Sequence, residues 1–218
     1  LGGTINTTGS QTYGNTVSLL HDNVLTGVNV TFNSTIDGGY GLTVNDSGTT
    51  NFNGEVGLST LLASITTDAA GSSVLGTGHI KTSGSQNYFD NLTISHDTEL
   101  TGSTISFGGT VGGSSNLSII GNAVFGNGTG DLVSLTGTST LSVSGLTTIN
   151  TSSVSTYGNQ TYTGAVSLGT DVTLVTSASG SNGDIRFGAS VDSVSSPQSL
   201  TINTVLLGKT TFSGAVGA

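Results

Sequence analysis

The sequence predicts an all-β solenoid, a rod of short strands wound into about ten stacked coils. Three observations carry this reading. A segment of about 75 residues recurs along the chain, with Gln-x-Tyr units at Gln11, Gln86 and Gln160. Apolar residues alternate with polar ones in short runs rich in β-branched side chains. Gly, Asn, Asp and Ser clusters separate those runs every ~8–12 residues.

The repeat fixes the organisation. GSQTYGNTVSLLHD at 9–22 returns as GSQNYFDNLTISHD at 84–97 and GNQTYTGAVSLGTD at 158–171. Phe32, Phe107 and Phe187 follow in register, then Leu42, Leu117 and Leu200, then Phe52, Phe125 and Phe212. Residues 1–8 read as the end of a preceding repeat, 9–83 as the first copy, 84–157 as the second and 158–218 as a truncated third. The third copy runs about five residues long between Val172 and Arg186, where Ser177 to Gly183 reads as an inserted loop. With no atypical repeat at either end, the 218 residues are expected to be a window on a longer array.

The strands follow from alternation. Val28-Asn29-Val30-Thr31-Phe32, Leu92-Thr93-Ile94, Leu141-Ser142-Val143, Val172-Thr173-Leu174 and Ile185-Arg186-Phe187 each put one face inward and one outward. Asp37-Gly38-Gly39 and Asn45-Asp46-Ser47-Gly48 read as turns. The best helical candidate, Leu58 to Ile65, is too short and too rich in Ser, Thr and Ile to outweigh the strand reading. No apolar run approaches the ~20 residues of a membrane-spanning helix. Short strands alone fit a sandwich or a solenoid; the long repeat favours the solenoid. At roughly 20–25 residues per coil, each copy holds three or four coils.

Composition limits the function. Twelve acidic residues against Lys81, Arg186 and Lys209 give a net charge of −9, which argues against nucleic-acid binding. Asp37, Asp46, Asp68, Asp131 and Asp184 sit in turns where structural Ca²⁺ is conceivable, but neither an EF-hand nor the Ca²⁺-binding nonapeptide is present, so no cofactor is expected. His21-Asp22 and His96-Asp97 resemble half of a catalytic site, yet the third copy has Thr170-Asp171. A residue that recurs and then lapses behaves as a turn position. The carboxylates Asp90 and Asp97, or Asp184 and Asp192, lie near one another in sequence, but neither pairing recurs. No catalytic residues are expected. Tyr13, Tyr88 and Tyr162 recur in register. They read first as core fillers and alternatively as an outward stripe for glycan or lateral contacts.

The strings GSQTY (9–13), TFNSTIDGGYGLTVNDSGTTNFNGEVG (31–57), SITTDAAGSSVLG (64–76) and GNQTYTGAVSLGTDVTL (158–174) resemble the repeat region of large bacterial surface exoproteins similar to filamentous haemagglutinin. That resemblance implies a right-handed parallel β-helix on the cell surface or secreted, serving as adhesin, stalk or filament. Its partners would be a host or neighbouring-cell glycan or protein, or other copies of the chain. It implies no catalysis and no membrane insertion of this segment. The absence of Cys agrees with an exported solenoid whose repeated burial needs no cross-links.

Overall fold

The computed structural model describes residues 1–178, 180–205 and 207–217. It is a β-solenoid, as the sequence led us to expect, of about nine turns, built throughout from parallel stacked strands. At ~4.8 Å per coil the stack is roughly 43 Å long. Among the described residues there is no α-helix, and one 3₁₀ turn spans Gly180–Gly183.

Each coil has three sides, and on each side an inward residue sits on its counterpart in the next coil. Side one stacks Val17, Ile36, Val56, Ile80, Leu100, Ile119, Val143, Tyr162, Phe187 and Phe212. Side two stacks Ile5, Leu25, Val44, Thr67, Tyr88, Phe107, Phe125, Ile149, Leu168 and Ser193. Side three stacks Tyr13, Phe32, Phe52, Leu75, Ile94, Gly113, Leu135, Thr156, Thr176 and Thr204. Sides one and two merge where Thr98–Phe107 and Leu117–Phe125 run through their shared corner as unbroken strands.

These three columns show that the sequence repeat and the coil have different periods. From Tyr13 on side three to Tyr88 on side two, the chain crosses eleven sides. It crosses eleven again to reach Tyr162 on side one. Eleven sides are three coils and two-thirds of a fourth, so each copy begins one side away from its predecessor. The aromatic fillers follow. Tyr13, Phe32 and Phe52 stack on side three with ring centroids 5.0 and 5.4 Å apart. Tyr88, Phe107 and Phe125 stack on side two at 5.9 and 5.3 Å. Tyr162, Phe187 and Phe212 stack on side one at 5.5 and 4.8 Å. Every repeat thus opens with a Tyr–Phe–Phe pile on three successive coils, in the near-parallel stacked arrangement favoured by aromatic quadrupoles when offset.

Close approaches between coils demand glycine at two positions. Gly113 has φ +142, and a Cβ there would lie 2.1 Å from the Ile94 carbonyl oxygen of the preceding coil. Gly71 meets the Gly48 carbonyl in the same way, at 2.1 Å with φ +71. Both positions need glycine for its positive φ and its missing side chain. One expected strand starts late. Val28 is exposed and Asn29 adopts φ 65, so the strand begins at Val30. The Asp46 carboxylate of the next coil accepts the Asn29 and Val30 amides, both at 2.7 Å, and holds this turn in place of strand pairing. The candidate helix at Leu58 to Ile65 forms a turn followed by the strand Ser64–Thr67.

Phe107 is the middle ring of a fully buried pile. Phe107→Ala is expected to cost about 3–5 kcal/mol in urea unfolding, because it opens a cavity between two coils that cannot collapse. Truncating the exposed neighbour Phe89 should change stability by no more than about 0.5 kcal/mol.

Candidate functional site

The recurrent Gln-x-Tyr unit is an internal corner bracket. The Gln86 Nε2 donates to the carbonyls of Thr101 (2.9 Å) and Ile80 (3.0 Å), while its Oε1 accepts from the Tyr88 hydroxyl at 3.0 Å. Gln160 repeats the arrangement with Val175 (2.8 Å), Val154 (3.1 Å) and Tyr162 (3.0 Å). Gln11 does so with Thr26 and Tyr13, both at 2.8 Å. A threonine four residues earlier completes the unit: Thr7, Thr82 and Thr156 donate to the carbonyls of Gly9, Gly84 and Gly158. The chemistry explains the spacing. A buried phenol must find an acceptor, and a corner carbonyl must find a donor. One carboxamide supplies both.

This geometry corrects the stripe reading of the tyrosines. Tyr88 and Tyr162 are fully buried and Tyr13 is half-buried. The three lie on three different sides, so they form no outward line for glycan or lateral contacts. Burial, aided for Tyr88 by the nearby Asp90 carboxylate, pushes the Tyr88 phenol well above its ordinary value, and burial alone does the same to Tyr162.

The His-Asp strings also resolve into corners. Asp22, Asp97 and Asp171 each accept a backbone amide from the next coil: Gly41 (2.8 Å), Asn116 (2.8 Å) and Ser199 (2.7 Å). The histidines point elsewhere. The His21 ring packs 6.0 Å from Tyr40, and the His96 Nδ1 lies 2.9 Å from the Asp97 carbonyl. Acids singled out as conceivable Ca²⁺ ligands also accept main-chain amides, from the same or a neighbouring coil. Asp37 accepts from Ser59 and Thr60, Asp68 from Asp46, Asp131 from Asn127 and Asp184 from Lys209, all through main-chain N–H groups. Asp46 accepts three main-chain amides and the Thr50 hydroxyl. Among the described residues, no three His, Asp or Glu side chains gather as a metal site would require.

Two further polar clusters lie among the described residues. On side one, His79 meets Glu55 at 3.1 Å and Lys81 meets Glu99 at 3.6 Å, all partly exposed. Such solvated pairs contribute little to stability. At the corner between sides two and three, Asp90 is buried and accepts hydroxyl donors from Ser73 (2.7 Å) and Thr67 (2.8 Å). Burial raises its carboxyl above the usual range and the Asp68 charge adds to that, against the opposing hydrogen bonds. Its sequence neighbour Asp97 occupies the next corner, bound to Asn116, so the two acids serve separate turns. Nothing in the sequence marks Asp90 as buried. Its environment comes from Thr67 and Ser73 in the preceding coil.

Comparison of the chain with protein-family models, with curated proteins and with solved structures finds no match.

Gln86→Leu leaves the Tyr88 hydroxyl without its partner in the core and should destabilise by about 2–3 kcal/mol. Adding Tyr88→Phe should recover part of that loss in a double-mutant cycle, which tests the bracket directly. Asp90 gives a pH signature. A carboxyl whose folded value is raised binds its proton more tightly when folded. Its stabilising contribution is therefore complete below the unfolded value of 3.8 and lost as pH rises through the raised folded value. Asp90→Asn should flatten that decline in urea midpoints recorded from about pH 4 to about pH 8.

Proposed function

We propose that this chain is a structural rod segment of a secreted bacterial adhesin or cell-surface fibre, of the kind its repeat resembles. Its work is mechanical: it holds a binding element away from a surface or lies against other rods. The carrying observation is that the recurrent aspartates and glutamines are engaged in coil-to-coil hydrogen bonds. Asp22, Asp97 and Asp171 hold turn amides, and Gln11, Gln86 and Gln160 hold corner carbonyls. The reading accordingly contains no catalytic step and no cofactor.

Charge distribution supports association with neighbouring copies. The chain carries a net charge of −9, yet none of the ten strands of side three contains a charged residue. Its outward residues include Thr12, Thr31, Asn51, Thr93, Ser134 and Ser155, which two rods can bring together without opposing like charges.

An antibody raised against residues 1–218 tests the proposal on native material. The expected result is a parent of several hundred kilodaltons on a denaturing gel, with label along thin cell-attached fibres in negative-stain micrographs. A small parent in long polymers would replace the stalk with a filament subunit. A small discrete particle would overturn both.

A further inference from the structure

The repeat is broken twice, at the end of the second copy and within the third, and both departures meet at one corner. Asp22 to Phe32 and Asp97 to Phe107 each span ten positions, whereas Asp171 to Phe187 spans sixteen. The extra residues fall between Thr176 and Asp184, a stretch that includes the 3₁₀ turn Gly180–Gly183; Ser179 lies outside the described residues. In the coil below, Tyr157 stands where the other copies have Thr8 and Ser83. The Tyr157 carbonyl accepts amides from Ser177 (3.1 Å) and Ala178 (2.6 Å), which ties the loop to this residue.

The ring itself faces outward, 42% exposed, into a groove lined by Thr138, Thr140, Tyr157, Gly158, Asn159 and Asn182. Every lining side chain is neutral. The Asn159 Oδ1 is taken by the Asp184 amide at 2.8 Å, which orients its Nδ2 away from that bond. Among the described residues, the Tyr157 hydroxyl, the Asn159 Nδ2 and the Thr138 hydroxyl make no hydrogen bond to protein. An exposed aromatic ring beside unengaged hydroxyl and amide groups has the chemistry to hold the apolar face of a sugar ring while bonding its hydroxyls. Insertions in solenoids fall on one face and often mark the binding face.

We propose that this groove is a binding site for a neutral oligosaccharide, with Tyr157 as the stacking platform and Asn159 as the hydrogen-bonding group. The site is independent of the rod reading, since a stalk and a discrete particle can equally carry it.

The test is an amide-resolved NMR titration of the 218-residue chain with a panel of uncharged oligosaccharides built from glucose, galactose, mannose, fucose and N-acetylhexosamines. Sialylated and sulfated sugars serve as the charged comparison. Shifts centred on Thr140, Tyr157, Gly158 and Asn159 with an uncharged member are expected. Tyr157→Ser, which restores the residue type found at the equivalent Ser83, should weaken that binding about tenfold or more. Tyr157→Phe should retain it, as should Tyr40→Ser at a different corner. Melting curves of the exposed-site variants should match the parent. The proposal is overturned if no uncharged sugar shifts these amides, if only charged sugars do, or if binding survives Tyr157→Ser.

Discussion

A coil in this rod can satisfy its backbone only through the coils above and below it. Strands meet that requirement automatically, because parallel neighbours offer evenly spaced donors and acceptors. Corners do not, since the chain turns out of register there. Much of the distinctive sequence addresses that deficit. Asn29, Asn91, Asn116, Asn122 and Asn159 present Oδ1 to the amides of Thr49, Thr110, Thr140, Leu146 and Asp184 in the following coil. Aspartates do the same at Gly41, Asn116, Ser199 and Lys209. In each of these bonds the side chain belongs to the earlier coil and the amide to the later one. The abundance of Asn and Asp is thus a property of corners, and the negative charge is largely a by-product of using aspartate as an acceptor.

Packing depends on the same alignment. Because each inward residue stands on its counterpart, a large ring is best accommodated beneath another large ring. The Tyr–Phe–Phe piles meet that condition, with Tyr at the start of each pile where the bracket glutamine can take its hydroxyl. Elsewhere the columns carry threonine, and Thr156, Thr176 and Thr204 turn their hydroxyls to the carbonyls of Gly158, Gly183 and Gly208. The interior is therefore apolar at its centre and polar toward its corners, which is where Asp46 and Asp90 are buried.

The strands, their parallel stacking and the filler role of Phe32, Phe107 and Phe187 were legible in the sequence, because alternation at period two and a long repeat leave little else. The late start at Val30 was not, because the Asp46 carboxylate that remodels Asn29 comes from another coil. The burial of Asp90 was hidden for the same reason. The tyrosine stripe failed on a different point. A sequence period shows that residues are equivalent in the chain, and they share a side only if that period holds a whole number of coils. Here it holds eleven sides of a three-sided rod. Tyr157 left a readable trace, a ring where two other copies have a small hydroxyl residue, but its meaning depended on the loop that the next coil folds against it.

That mismatch of eleven and three has a consequence for how the rod meets its surroundings. Successive copies are related by a screw of two-thirds of a turn and a rise of roughly 18 Å. Features repeated in the sequence, such as the turns at Asp22, Asp97 and Asp171, point along three azimuths. A flat surface approaching from any direction encounters one copy of that turn, whichever way the rod has rolled. Features that break the repeat, by contrast, are confined to a single azimuth. Isotropy for the repeated turns and direction for the exceptions thus come from the same arithmetic.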